Sequence, residues 1–188
     1  MYASPTKPEK GRAPTRWAAI VAAGILAANL LCAQVDEYQV KALFLVNFAR
    51  YVDWPPTSFN APTDPILICV LGENPFGAIL DQAVQGKSVD GHPLAVRVLS
   101  TAPPKGACHV LFVKESERRR FRSAAPALRA ASILTVGEAA WFTSEGGVIN
   151  FKLDAGKVRF EISTEAAAQQ NLHVSSKLLS LAQTVKTR

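Results

Sequence analysis

The chain has 188 residues, 48% of them apolar and 19% charged, with a formal net charge of +6. That length allows one domain with a real core, and the composition excludes a disordered chain. The charge is weak evidence for a nucleic-acid partner, because it is unevenly distributed.

The first 33 residues do not read as fold. Lys7, Lys10, Arg12 and Arg16 precede an uncharged run of 15 residues, 17–31, rich in Ala, Ile and Leu, and Leu31-Cys32-Ala33 closes it with a small residue. A basic segment, an apolar segment and a small-residue site describe a secretory signal peptide, with cleavage expected after Ala33. The run falls short of the roughly 20 apolar residues a membrane span needs, which favours cleavage over the alternative of an uncleaved anchor. Leu31 is bulky where a lipidated Cys32 would want a small neighbour. The leader holds four of the 21 basic and one of the 15 acidic residues, leaving 17 against 14, a net +3. Nucleic acid is therefore not expected as a partner. The expected organisation is a leader over 1–33 and a single domain over 34–188.

Residues 37–53 carry helical periodicity. Asp36, Gln39, Asn47, Arg50 and Asp53 fall in one narrow sector. Tyr38, Ala42, Leu45, Phe48, Ala49 and Val52 cover the opposite side, widened by Val40, Phe44 and Tyr51, with Lys41 out of place among them. A helix this apolar needs more than one neighbour, so it reads either as a core helix or as one that also offers an interface. On the second reading Tyr38, Phe44, Phe48, Tyr51 and Trp54 are the candidate partner-binding residues. Trp54-Pro55-Pro56 stops the helix, since proline disfavours helical geometry before it and cannot donate a backbone bond.

Beyond a Pro/Asn/Asp linker, residues 66–71 form a strand apolar on both faces, as buried parallel strands are. A short helix is expected over 76–84, a hairpin turn at Asp90-Gly91, and strands over 94–99 and 109–113. A helix over 115–130 places Phe121 and Leu128 inward and Arg118, Arg119, Arg120 and Arg122 mostly outward. A strand over 132–136 leads to a short helix from Gly137-Glu138 to Trp141-Phe142. Then a hairpin alternates over 148–153 and 158–162 around Asp154-Ala155-Gly156. Ser163-Thr164-Glu165 caps another helix, and a last amphipathic helix runs from Val174-Ser175 to Val185. Strands alternating with helices point to a single-domain α/β sandwich, with a central, mostly parallel sheet flanked by helices and a C-terminal antiparallel hairpin.

Two cysteines remain after the leader, Cys69 and Cys108, each in or beside an apolar strand. In an oxidising compartment a disulfide between them is expected if the strands are neighbours; the alternative is two buried thiols.

The search for catalytic chemistry finds little. Gly72 to Gly77 has the glycine spacing of a phosphate-binding loop, but Ala78-Ile79 stand where Lys-Ser/Thr is needed. His92, His109 and His173 stand singly, without metal-site spacing. No cofactor, metal or enzymatic activity is expected. The arginines at 118–122 read as a solvated face, or as a contact for anionic lipid. Arg159, Glu161, His173 and Ser175 are candidate ligand-binding residues if they converge, suited to a small zwitterionic or aromatic molecule. Their plain alternative is a surface ion pair.

Tyr38, Lys41-Ala42, Asn47-Phe48-Ala49, Tyr51 and Trp54-Pro55 resemble the opening signature of the YfiR-type periplasmic proteins. The resemblance resumes at Gly146-Gly147-Val148-Ile149-Asn150-Phe151, at Val158-Arg159-Phe160-Glu161-Ile162, and at Ser175-Ser176-Lys177-Leu178-Leu179-Ser180-Leu181-Ala182. It implies a periplasmic repressor, not an enzyme, that binds the periplasmic sensor portion of an inner-membrane diguanylate cyclase and so lowers cyclic di-GMP and biofilm formation. A homodimer and a small ligand are further partners to consider. The alternatives are a small-molecule-binding protein serving a different sensor, or an unrecognised enzyme. Some family members carry a second disulfide near the final hairpin, where this chain has no cysteine.

Overall fold

An eight-stranded sheet, built from strands between residues 66 and 186, organises the domain. It is seen in a computed structural model that describes residues 37–129 and 131–187. The expected leader lies outside those residues. In chain order come α1 (37–50), β1 (Val52–Asp53), β2 (Ile66–Leu71), α2 (Ile79–Val84), β3 (Ser88–Val89), β4 (His92–Leu99) and β5 (Val110–Val113). Then follow α3 (Arg118–Leu128), β6 (Leu134–Gly137), β7 (Ile149–Asp154), β8 (Lys157–Ser163), α4 (Thr164–Gln169), β9 (His173–Val174), α5 (Ser176–Leu181) and β10 (Thr184–Lys186).

The sheet order is β10-β8-β7-β6-β5-β2-β4-β3. The pairs β4–β2, β2–β5, β5–β6, β6–β7 and β8–β10 are parallel, whereas β3–β4 and β7–β8 are antiparallel hairpins. Strands β5 and β6 are buried along their whole length, which requires cover on both faces. Alternation sorts the side chains. Ile66, Ile68, Val70, Val110, Phe112, Leu134 and Val136 face α1 and α2, while Cys69, Leu71, Leu111 and Val113 meet Phe121 and Leu128 of α3. This is the mostly parallel α/β sandwich with an antiparallel hairpin that the pattern predicts.

The Asp90-Gly91 turn holds positive φ at both positions, 50° and 88°, the geometry whose twist matches a two-residue hairpin. The Ser163 side chain caps α4, accepting from the Ala166 N–H.

Two expectations are corrected. The last helix ends at Leu181 rather than near Val185, and Thr184–Lys186 forms β10 beside β8. The outer edge of β8 leaves backbone groups to satisfy, and the Gln183 N–H donates to the Phe160 carbonyl to begin that pairing. The segment after Gly137 is a turn with a short 3-10 stretch, Thr143–Glu145. There the fully buried Phe142 ring lies against the Cα of both Gly137 and Gly147, where any Cβ would strike it. Ring packing, not helix propensity, shapes that loop.

Cys69 in β2 and Cys108 before β5 are bonded as a disulfide, with Cα atoms 6.2 Å apart across a separation of 39 residues. Closing such a loop stabilises by about 4 kcal/mol in the chain-entropy model. Replacing Cys108 with alanine is expected to cost about 2–5 kcal/mol in chemical denaturation of the oxidised protein; unchanged stability would show that the bridge contributes nothing.

Candidate regulatory surface

The first helix is held by aromatic packing. Phe48 is fully buried, its ring 5.1 Å from Phe160 and 5.6 Å from Phe151. Phe44 is partly buried and meets Phe160 edge-on at 5.4 Å. At the other end Tyr38 lies edge-on to Phe76 at 5.2 Å. The helix stops at residue 50, ahead of the prolines, because Val52–Asp53 pairs antiparallel with His173–Val174 and the Tyr51 carbonyl accepts from the Ser175 N–H.

Lys41, the residue out of place in the apolar pattern, is 4% exposed. Its ammonium pairs with Glu37 one turn back and with Glu138 at 2.6 Å from the loop after β6. The Tyr38 hydroxyl donates to the same Glu138 carboxylate at 3.2 Å. Burial and the neighbouring Glu138 charge push the Tyr38 phenol above its ordinary pKa, so the hydroxyl stays a donor. The pair ties α1 to the loop that follows β6. The Glu37–Lys41 spacing of four was the sequence signal for it; the Glu138 partner, 97 residues away, had none.

The five candidate partner-binding residues are thus mainly anchors. Phe48 is closed to any partner, and Tyr38, Phe44, Tyr51 and Trp54 are partly buried against the core. What the helix leaves open is Val40, 39% exposed, and Leu43, 52% exposed. Leu43 was missed by the sector reading. On the same sheet face Leu153 of β7 is 59% exposed, and a recess of ≈450 Å³ between Lys41, Glu138, Phe151 and Leu153 adjoins it.

The four candidate ligand residues do not assemble. Arg159 and His173 are exposed, Ser175 caps α5 by accepting from Leu178, and among the described residues no hydrogen bond or ion pair joins the four. Glu161 is 1% exposed, because α3 and its flanking loops cover the second sheet face as well as α1 covers the first. Its carboxylate takes Lys152 at 2.5 Å, the Thr143 hydroxyl at 2.7 Å and Lys186 at 3.1 Å. Burial alone would raise its pKa, but hydrogen bonds from Lys152, Thr143 and Lys186 outweigh that and hold it below the usual carboxylate range. The arginines at 118–122 are exposed; Arg118 and Arg122 pair with Glu145, and Arg120 with Glu117.

His109 is buried at the start of β5. Its Nδ1 accepts the Leu67 N–H at 3.1 Å, which leaves Nε2 as the protonated nitrogen, 3.2 Å from the Ser58 carbonyl. Phe59 stacks between His109 and His92, at 4.7 Å and 4.0 Å. Burial and nearby His92 lower the His109 pKa, opposed only in part by the Ser58 carbonyl and Asp64.

A mostly parallel sheet closed on both faces by helices, stapled by one disulfide and entered by an aromatic-anchored first helix, defines a three-layer α/β domain. The sequence matches the YfiR/HmsC-like family over residues 38–183. The chain belongs to that family. No curated protein matches it. Among solved structures, an ABC domain in complex with L-Trp from Streptococcus pneumonia aligns with a TM-score of 0.52 at 11% identity, over 77% of this chain and 60% of that one. A conserved domain protein from Vibrio cholerae O1 biovar eltor str. N16961 aligns with a TM-score of 0.47 at 13% identity, over 64% and 55%. This chain therefore spans less than two thirds of either, and the first likeness supports the α/β fold alone. No described helix is long and apolar enough to cross a membrane.

Two outcomes are expected. Lys41→Met leaves the Glu138 carboxylate buried without its partner and should cost about 3–5 kcal/mol, and adding Glu138→Gln should restore much of the loss in denaturant melts; strict additivity of the two would refute the coupling. For His109, the unfolded imidazole gains its proton near pH 6.5 while the folded one resists until lower pH. Stability is therefore complete above about 6.5 and lost as pH falls from there toward the folded value. His109→Asn should flatten the melting temperature against pH in that window, and equal slopes would remove His109 as the cause.

Proposed function

We propose that the protein is exported by cleavage after Ala33 and represses an inner-membrane diguanylate cyclase by binding its periplasmic sensor region, lowering cyclic di-GMP and biofilm formation. The observation that supports this most is the family match over residues 38–183. The exposed Val40 and Leu43 of α1, with Leu153 nearby on the same sheet face, supply apolar contact that the domain does not use internally. Repression then works by differential affinity: the protein binds the inactive sensor state more tightly than the active one and shifts the equilibrium by that difference. Tyr38, Phe44, Phe48, Tyr51 and Trp54 contribute by fixing the pitch and position of α1, so that its open face is presented rigidly.

Leu43→Glu separates contact from folding, since the side chain is already half in solvent. The variant should keep its circular dichroism spectrum and melting temperature, while sensor binding weakens and cellular cyclic di-GMP rises. Phe44→Glu, by contrast, places an unpaired charge against three phenylalanines and should unfold the domain. If deleting the protein from its host leaves cyclic di-GMP unchanged, the repressor reading is wrong.

A further inference from the structure

On the second face of the sheet a cleft of ≈580 Å³ opens between α3 and α4. Its size falls within the range of small-molecule sites, and it is separate from the α1 surface.

The floor of this cleft is polar where a covered sheet face would ordinarily be apolar. Thr135 is 1% exposed, Ser163 7%, and Gln170 4%. The hydroxyls of Thr135 and Ser163 accept the Val148 and Ala166 N–H groups and keep their own protons to donate. Lys186, held by Thr143 and Glu161, has a third proton to give. Two acceptors on residues that line the cleft have no partner among the described residues: the Gln170 side-chain oxygen and the second Glu145 carboxylate oxygen, both buried. An unsatisfied buried polar atom is costly in a folded protein and calls for something to bind it.

Charge narrows the choice. Arg118, Arg122, Arg129, Lys152 and Lys186 stand in or behind the walls against three carboxylates, Glu145, Glu161 and Glu165. A cationic ligand would meet a positive surplus. An anion brings no donor for Gln170 and would be pressed against Glu145. A hydroxyl is neutral and both donates and accepts, so a ring of them serves the open acceptors and the free donors together. Ala125 and Leu128 of α3 offer an apolar wall for C–H faces. We infer that the α3–α4 cleft is a binding site for a small neutral, hydroxyl-rich molecule of the mono- or disaccharide class, with Gln170 as its central polar contact.

The test is a nitrogen-15 NMR titration of the mature protein with D-glucose, N-acetylglucosamine and trehalose, using putrescine and citrate as charged comparators. The Gln170 side-chain amide is followed, identified by its disappearance in Gln170→Leu. At least one saccharide should shift that amide saturably, binding should weaken about tenfold or more in the variant, and the comparators should leave the amide still. Should Gln170→Leu fail to fold, Ala125→Phe, which fills the cleft from α3, takes its place with the same expectation. No shift with any of the three, a shift with a charged comparator alone, or undiminished binding in the folded variant overturns the proposal.

Discussion

The domain depends on how α1 is seated across the β7–β8 hairpin. Phe48 sits between Phe151 and Phe160, so one helical turn is locked to the two antiparallel strands that lie just inside β10 in a sheet whose centre is parallel. Aromatic pairs in such offset and edge-on arrangements contribute about 0.5–1.5 kcal/mol each beyond area burial. The geometry matters more here than the energy. With the rings interlocked, the helix cannot roll, and the residues it turns outward, Val40 and Leu43, are decided by which ones it turns inward.

The buried Lys41 completes that arrangement at the other end. A buried ion pair is a doubtful source of net stability, because desolvation offsets most of the attraction. Its value lies in orientation: an apolar residue at position 41 would pack in several registers, whereas an ammonium must find both Glu37 and Glu138. Aromatic packing over β7–β8 and charge pairing beside β6 thus define the helix by two points on the sheet.

Strand β8 serves both faces at once. Phe160 and Ile162 complete the core under α1. Glu161 and Ser163 point the other way, into the polar ground below α3 and α4. A strand read alone, with alternating apolar and charged residues, looks half-exposed, and that is why Glu161 invited a surface role. The cover over its second face comes from α3 and the loop at 143–146, neither of which is adjacent in sequence.

Much of the architecture was legible. The apolar runs at 66–71 and 109–113, the Asp90-Gly91 turn, the Ser163 cap and the alternating hairpin all encode local structure through backbone geometry and side-chain period, which act within a few residues. The Cys69–Cys108 bridge was expected on condition that their strands are neighbours, and β2 and β5 do pair. Beyond that reach the sequence was silent. Whether residues 184–186 continue a helix or add a strand depends on the free edge of β8, not on their own propensity. That Lys41 belongs inside, that Phe48 is closed to partners, that Arg159, Glu161, His173 and Ser175 do not converge, and that Gln170 lines a cleft with its oxygen unmet among the described residues are all outcomes of distant segments meeting. Local periodicity determined which side of each element is apolar; only tertiary contact decided which of those sides are covered, because covering one requires a partner that the local chain does not contain.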